Sequence, residues 1–322
     1  MKSKIYDPSF SDQPKQFQLK KIENLSKKLV FLFTVIFVSF FANAQTAADV
    51  DASFINGNSF NRSAFVKFNI IQPDGKIIVA GDFAQFNDFN SPGIVRLNAD
   101  GTRDTSFNIG TGIPGIIWSV VLLNNGKIMV GGTFVTVNGA ASSKIVRLNS
   151  NGSIDTTFNI GTGFSGYNPL LNFVEQTDGK IIVSGTFNAY NGATVNNLIR
   201  LNVNGSIDNS FATAGTGFDN VTSKVLIQPD GKLVVIGYFT AYNGTTRNYC
   251  ARLNANGTLD NTFIIGSGFD GLCKDLKSQT DGKIVFAGQF TQFNGVAKNN
   301  ALRLNADGTI DNSFASPTGA DL

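Results

Sequence analysis

The chain has 322 residues, a formal net charge of +3, no histidine, 34 glycines and 29 phenylalanines. Without histidine a Ser-His-Asp triad and the commonest metal ligand are excluded. The charge also excludes a nucleic-acid binder: residues 1–45 hold seven lysines against three acids, so the remainder carries about −1 and has no electrostatic hold on phosphates.

In chain order, the first element is a leader. Lys27-Lys28 precede an apolar run, Leu29 to Phe41, interrupted only by Thr34 and Ser39, and Ala42-Asn43-Ala44 and Gln45 follow. Positive charge, a short apolar core and small residues in an A-x-A pattern predict a signal peptide cut between Ala44 and Gln45. The run is short for a bilayer span, and a single membrane anchor is the alternative. The expectation is a 1–44 leader, a 45–322 domain with no membrane span after cleavage, and a secreted, periplasmic or outer-surface location.

From Asp49 onward one pattern of about fifty residues recurs five times. Its anchor is a turn followed by lysine: Asp74-Gly75-Lys76, Asn125-Gly126-Lys127, Asp178-Gly179-Lys180, Asp230-Gly231-Lys232 and Asp281-Gly282-Lys283. The glycines lie 51, 53, 52 and 51 residues apart. Arg-Leu-Asn recurs in step from Arg96, Arg147, Arg200, Arg252 and Arg303. Periods of this length mean stacked repeats.

The second copy shows how one repeat reads. Ile116 to Leu123 is apolar, Asn125-Gly126 turns, and Lys127 to Phe134 is a nearly continuous apolar run, expected of a strand covered on both faces. Asn138-Gly139 turns again, Lys144 to Asn149 is a third strand, Asn151-Gly152 turns, and Ser153 to Phe158 is a fourth. A lone four-stranded sheet with two apolar faces has no stable existence in water, and stacking its copies around an axis gives a ring of blades. The predicted fold is all-β: a five-bladed β-propeller of four-stranded antiparallel blades. A sixth copy of the last-strand signature, Asp51-Ala52-Ser53-Phe54, precedes the first full repeat. It closes the ring onto the final blade, or the chain is an open arc of a larger propeller. A closed ring implies a monomer.

The string Gln72-Pro73-Asp74-Gly75-Lys76, Arg96-Leu97-Asn98-Ala99-Asp100-Gly101, Asp104-Thr105-Ser106-Phe107 resembles the delta-60 repeat, a bacterial β-propeller family without an assigned general function. The resemblance implies a surface protein of the Bacteroidetes type. Those relatives often carry a C-terminal sorting domain, whereas this sequence stops at Leu322, just after the last repeat.

Several motifs invite chemistry. Arg96 to Asp104 echoes the middle of a calcium loop, but an arginine stands where a carboxylate is needed and the bidentate glutamate is missing. No metal or other cofactor is expected. Each of Arg96, Arg147, Arg200, Arg252 and Arg303 lies eight residues before Asp104, Asp155, Asp208, Asp260 and Asp311, which predicts one bidentate structural pair per blade. The Gly-Thr-Gly and Gly-Ser-Gly strings open no helix and read as crossovers between blades. Cys250 and Cys273 fall in mostly apolar columns, as two buried hydrophobes or as a disulfide in an exported protein.

Glycosidase chemistry needs two placed carboxylates, and Glu175 is the only glutamate after the leader. The connections after the second and fourth strands vary between copies and share one end of the ring, the natural recognition face. Trp118, Tyr167, Asp219, Arg247 and Asp270 are distinctive near that end. The reading is a non-catalytic binding or adhesion module for a glycan or protein. The alternatives are a carbohydrate-active propeller enzyme and a fragment of a longer repeat protein.

Overall fold

A computed structural model divides the chain into two compact units, Met1–Ser53 and Phe54–Leu322. The residues it describes are Phe54, Phe60, 65–165, 171–211 and 215–314, all in the second unit. The leader, Ala44, Gln45 and Tyr167 lie outside them.

Each repeat is built on three antiparallel strands hydrogen-bonded in chain order. The first strands are Phe65–Ile71, Ile117–Leu122, Leu171–Glu175, Thr222–Ile227 and Leu272–Ser278. The second are Ile77–Asp82, Ile128–Gly132, Ile181–Gly185, Leu233–Gly237 and Ile284–Gln289. The third are Ile94–Leu97, Ile145–Leu148, Leu198–Leu201, Cys250–Leu253 and Ala301–Leu304. The lysine turn makes the first hairpin. In Pro73-Asp74-Gly75 the glycine takes φ 81°, Gln72 N–H donates to Lys76 O at 2.8 Å and Gly75 N–H to Gln72 O at 2.9 Å. This is a three-residue loop with glycine at its left-handed position.

The fourth segment is shorter than its sequence suggests. It joins the third strand through one bridge per repeat, such as Leu148↔Ile154 and Leu253↔Leu259. The Asp-x-x-Phe stretch then folds as a turn, because Asp155 Oδ1 accepts from Thr157 N–H at 3.1 Å and Thr157 Oγ1 at 2.6 Å. A carboxylate that bonds its own backbone two residues on competes with a ladder. A small hairpin, absent from the sequence reading, separates the second and third strands. Thr136–Val137 with Ala140–Ala141 and Ala241–Tyr242 with Thr245–Thr246 are examples. Its tip is the Asn-Gly turn, with Asn138, Asn191 and Asn243 all at φ 48°.

The crossover into the next repeat packs on this hairpin. Phe218 pairs with Tyr242 by one bridge, and its ring lies 4.3 Å from Phe239 and 4.5 Å from Tyr242. Phe60, Phe164 and Phe269 make the equivalent clusters. Each such ring pair contributes about 0.5–1.5 kcal/mol beyond its buried area. The crossover glycines are tied to the same tip: Asn138 Oδ1 accepts from Thr111 N–H at 3.0 Å, and Asn243 Oδ1 from Gly217 N–H at 2.7 Å.

Alternation along the strands gives every repeat two apolar faces, and each interface joins a trailing face to the next leading face. Ile78, Ala80 and Ile94 of the first repeat pack with Ile117, Ile128, Val130, Val146 and Leu148 of the second. Met129 and Ile145 meet Leu171, Ile181, Val183 and Leu201. Ile182 and Leu198 meet Val225, Leu233, Val235 and Leu253. Val234, Ile236 and Cys250 meet Cys273, Ile284, Phe286 and Leu304. The two cysteines therefore face each other's repeats as buried free thiols, not as a disulfide.

The protein is all-β, and five antiparallel units repeat along it. Among the described residues no ladder or apolar cluster joins the first repeat to the fifth, as the open-arc alternative requires.

Candidate functional site

Charged residues of the repeat assemble into a clasp between blades. In the second repeat Asp155 Oδ2 lies 2.5 Å from Arg147 Nε and 2.8 Å from Lys127 Nζ. Arg147 also donates from Nη1 to Val203 O of the third repeat at 2.7 Å and from Nη2 to Thr157 Oγ1 at 3.3 Å. Its guanidinium lies 4.4 Å from the Phe158 ring centroid, a cation–π distance. The first repeat repeats this set: Arg96 holds Asp104 at 2.7 Å and Ser150 O at 2.6 Å, with Lys76 on Asp104 at 2.9 Å. Arg200 reaches Asp208 and Ala255 O at 2.7 Å each, and Arg252 reaches Asp260 and Ala306 O. Arg303 binds Asp311 at 2.7 Å and, like Arg96, Arg200 and Arg252, directs Nη1 at a glutamine of its own repeat, here Gln279, but reaches no carbonyl of another repeat among the described residues.

Burial opposes ionisation of Asp155, yet hydrogen bonds from Lys127, Thr157 and Arg147 outweigh it and hold the carboxyl well below the usual range. Asp104, Asp208 and Asp260 are lowered against burial in the same way, and Asp311 through Ser313 and Lys283. A carboxylate this strongly ionised has no proton to give and little basicity. The five clasps tie strand, turn and lysine hairpin together within each repeat. The lysine was missed from sequence; its signal was the recurrence of one cation at every first turn.

Of the loop-end candidates, the four described ones, Trp118, Asp219, Arg247 and Asp270, do not gather into one site. Trp118 is the extra residue of a β-bulge between Ile117 and Ser119. A bulge re-aims the side chain it carries. Lys67 Nζ sits 3.6 Å from its ring centroid, and Trp118 Nε1 is buried without a hydrogen bond.

Asp219 is engaged by its own loop. Its Oδ1 accepts from Thr240 N–H at 2.9 Å and Ala241 N–H at 3.0 Å, and its Oδ2 from Thr240 Oγ1 at 2.6 Å. Asp270 does the same with Thr291 and Gln292. Burial works against ionisation of both, and these donors still lower both carboxyls. They are loop staples in two successive repeats. Arg247 shares that loop with Asp219, since Arg247 N–H donates to Thr240 O at 2.7 Å, and its Nη2 is 3.3 Å from Asn261 Oδ1.

A cleft of about 570 Å³ opens at this end between the third and fourth repeats. Phe187 and Phe218 form its apolar lining, and Thr186, Asn188, Asn196, Asn197, Thr216 and Asp219 supply polar groups. Asn196 Nδ2 donates to Thr216 O at 2.6 Å, and Asn188 Oδ1 accepts from Ser165 Oγ at 3.2 Å, so each keeps one amide pole for another partner. Asn197 is spent on Phe187 N–H and Phe218 O. The site offers amides and hydroxyls above two buried aromatic rings, and its one carboxylate already accepts three hydrogen bonds from its own loop. Sequence reasoning found the two loops but not these residues, because lone Asn and Thr in polar loops carry no pattern.

Among the described residues no group of three or more His, Cys, Asp and Glu is placed to hold a metal ion, and no helix is long and apolar enough to cross a membrane. Asn98, Asp100 and Thr102, the calcium-like stretch, hydrogen-bond one another around Gly101 at φ 83°.

A search of curated proteins found no match. A family model described as a beta-propeller domain of unknown function, DUF5122, matches residues 72–107, 123–158, 176–211, 228–263 and 279–314. Each matched stretch runs from the residue before the lysine turn to the phenylalanine under the clasp arginine, and together they span more than half of the chain, which therefore belongs to the DUF5122 beta-propeller family.

Proposed function

We propose that this propeller is a non-catalytic binding module acting outside the cytoplasm, and that it takes a neutral polar ligand, a glycan or an extended peptide, at its variable-loop end. The observation that carries the reading is the cleft between the third and fourth repeats, where amide and hydroxyl groups surround Phe187 and Phe218. Phe187 and Phe218 are themselves buried, so the polar lining above them suits ligands with many hydroxyls or amides. The leader pattern from Lys27 to Gln45 supports export, and the likeness of the repeats to delta-60 proteins supports a cell-surface setting. The clasp carboxylates are strongly ionised, and Asp219 and Asp270 are engaged by their own loops, which favours binding over glycoside hydrolysis.

A glycan and peptide array probed with the full chain tests the reading. Asn188→Ala and Asn196→Ala should each weaken a hit about tenfold, the loss of one buried hydrogen bond. Product release from a bound glycan would replace the module with an enzyme. Hits insensitive to both substitutions would remove the cleft from the proposal.

A further inference from the structure

Four small hairpins carry an aromatic ring at the second position of their first strand: Phe86, Tyr190, Tyr242 and Phe293. All four rings are buried, and each packs on the crossover phenylalanine, Phe60, Phe164, Phe218 or Phe269. The two tyrosines end on a backbone carbonyl in the last turn of their own repeat. Tyr190 Oη donates to Gly205 O at 2.7 Å, and Tyr242 Oη donates to Gly257 O at 2.6 Å. Phe86 and Phe293 supply the ring without the hydroxyl.

The second repeat breaks both aromatic columns. Val137 stands where the hairpin ring stands elsewhere, and Ile113 stands where the crossover phenylalanine does. Two aliphatic side chains fill less space than two rings, and a cavity of about 200 Å³ lies here. Its walls include Asn138, next to Val137, and Gly152, the counterpart of Gly205 and Gly257, together with Asn108, Ile109 and Ile154. Asn108 and Asn138 are exposed, whereas Ile109 and Gly152 are buried, so a polar rim leads down to apolar surface and backbone. Gly152 O is the counterpart of the two carbonyls that the tyrosines bond, and it receives no hydrogen bond among the described residues.

We propose that this cavity binds a phenol, either the side chain of a tyrosine on a partner or a free phenolic molecule. The guest ring takes the space that Tyr190 and Tyr242 fill in the next two repeats, and its hydroxyl donates to Gly152 O. The chain supplies this same ring to the same acceptor twice, which is why a phenol fits better than other guests. A cavity of roughly 150 Å³ already admits benzene, so the volume here is enough for one ring. A ring that lacks the hydroxyl leaves Gly152 O unpaired and is disfavoured. The cavity shares no residue with the cleft between the third and fourth repeats.

The test is titration of the full chain with p-cresol, toluene and N-acetyltyrosinamide, followed by backbone amide chemical shifts. p-Cresol should bind saturably in the millimolar range, as suits a ligand of its size, with its largest shifts at Gly110, Gly152 and Ser153. It should bind up to about tenfold more tightly than toluene, the worth of one hydrogen bond. Val137→Tyr restores the ring of the third and fourth repeats, so it should abolish these shifts and raise the melting temperature. Val137→Phe, with the ring of the first and fifth repeats, is a second cavity-filling variant should Val137→Tyr disturb the fold. Shifts from N-acetyltyrosinamide at the same amides assign the site to a tyrosine side chain; p-cresol binding with N-acetyltyrosinamide excluded assigns it to free phenols. The absence of saturable shifts from both phenols overturns the proposal. Toluene binding as tightly as p-cresol overturns it in favour of a site for any flat apolar ring. Shifts as large in the cavity-filling variants as in wild type place the ligand elsewhere and overturn it too.

Discussion

Replacing Arg147 by alanine should destabilise the protein far more than replacing Arg303, although the two occupy the same position of the repeat. Arg147 is 3% exposed and holds Asp155, Thr157 and Val203 O of the next repeat. Its loss leaves Asp155 with Lys127 and Thr157, strips Val203 O of its donor and uncovers Phe158. Breaking a buried ion pair by removing one partner costs about 3–5 kcal/mol. Arg303 makes the same contacts inside its repeat, with Asp311 at 2.7 Å and Ser313 at 3.1 Å, but none to a following carbonyl among the described residues. The gap between the two variants should be at least the worth of one hydrogen bond from a charged donor, about 1.5–3 kcal/mol. Urea unfolding in dilute solution measures it, followed by Trp118 fluorescence and far-ultraviolet circular dichroism, whose transitions must coincide before midpoints become energies. Equal losses for the two variants would refute the idea that the arginine works between repeats rather than within one.

Acid should unfold the protein through the same residues. The clasp carboxyls are lowered in the folded state, so their stabilisation is complete above the ordinary aspartate range near pH 4 and disappears as pH falls toward their folded values. The urea midpoint should be level from about pH 7 to 5 and fall steeply below about 4; a midpoint flat down to pH 3 contradicts this. Both thiols should be silent toward Ellman's reagent in the native protein at pH 8 and appear together on unfolding. Burial pushes Cys250 up to about 12, and burial and then Cys250 push Cys273 up further. Reaction of either thiol at the rate of a free one in folded protein would show that the junction between the fourth and fifth repeats opens.

The turns and the long strands are legible in the sequence because each is local: Asn-Gly and Asp-Gly fix a hairpin by their own backbone preference. The arginine–aspartate pairs are legible too, since eight residues across a tight hairpin bring them opposite, but each arginine meets its carboxylate through Nε alone rather than bidentately, its other nitrogens going to neighbouring hydroxyls, glutamines and carbonyls. What is not legible depends on register between distant segments. Lys127 meets Asp155 only because the first hairpin and the last turn lie side by side, and Arg147 meets Val203 O only because the repeats stack. The small hairpins are two residues per strand, too short to show a period. Asp219 and Asp270 read as functional because three of the five repeats lack them, yet their geometry is that of a staple. Alternation alone cannot tell a carboxylate that faces a ligand from one that faces its own loop.

The stacking of repeats is tested most directly by a single repeat cut free of its neighbours. A peptide spanning residues 116–161 should show no cooperative melting and no slow amide exchange, because Ile128, Val130, Met129 and Ile145 would lose the partners that bury them. Cooperative unfolding of that peptide alone, with protected amides in its second strand, would contradict a fold held together between repeats.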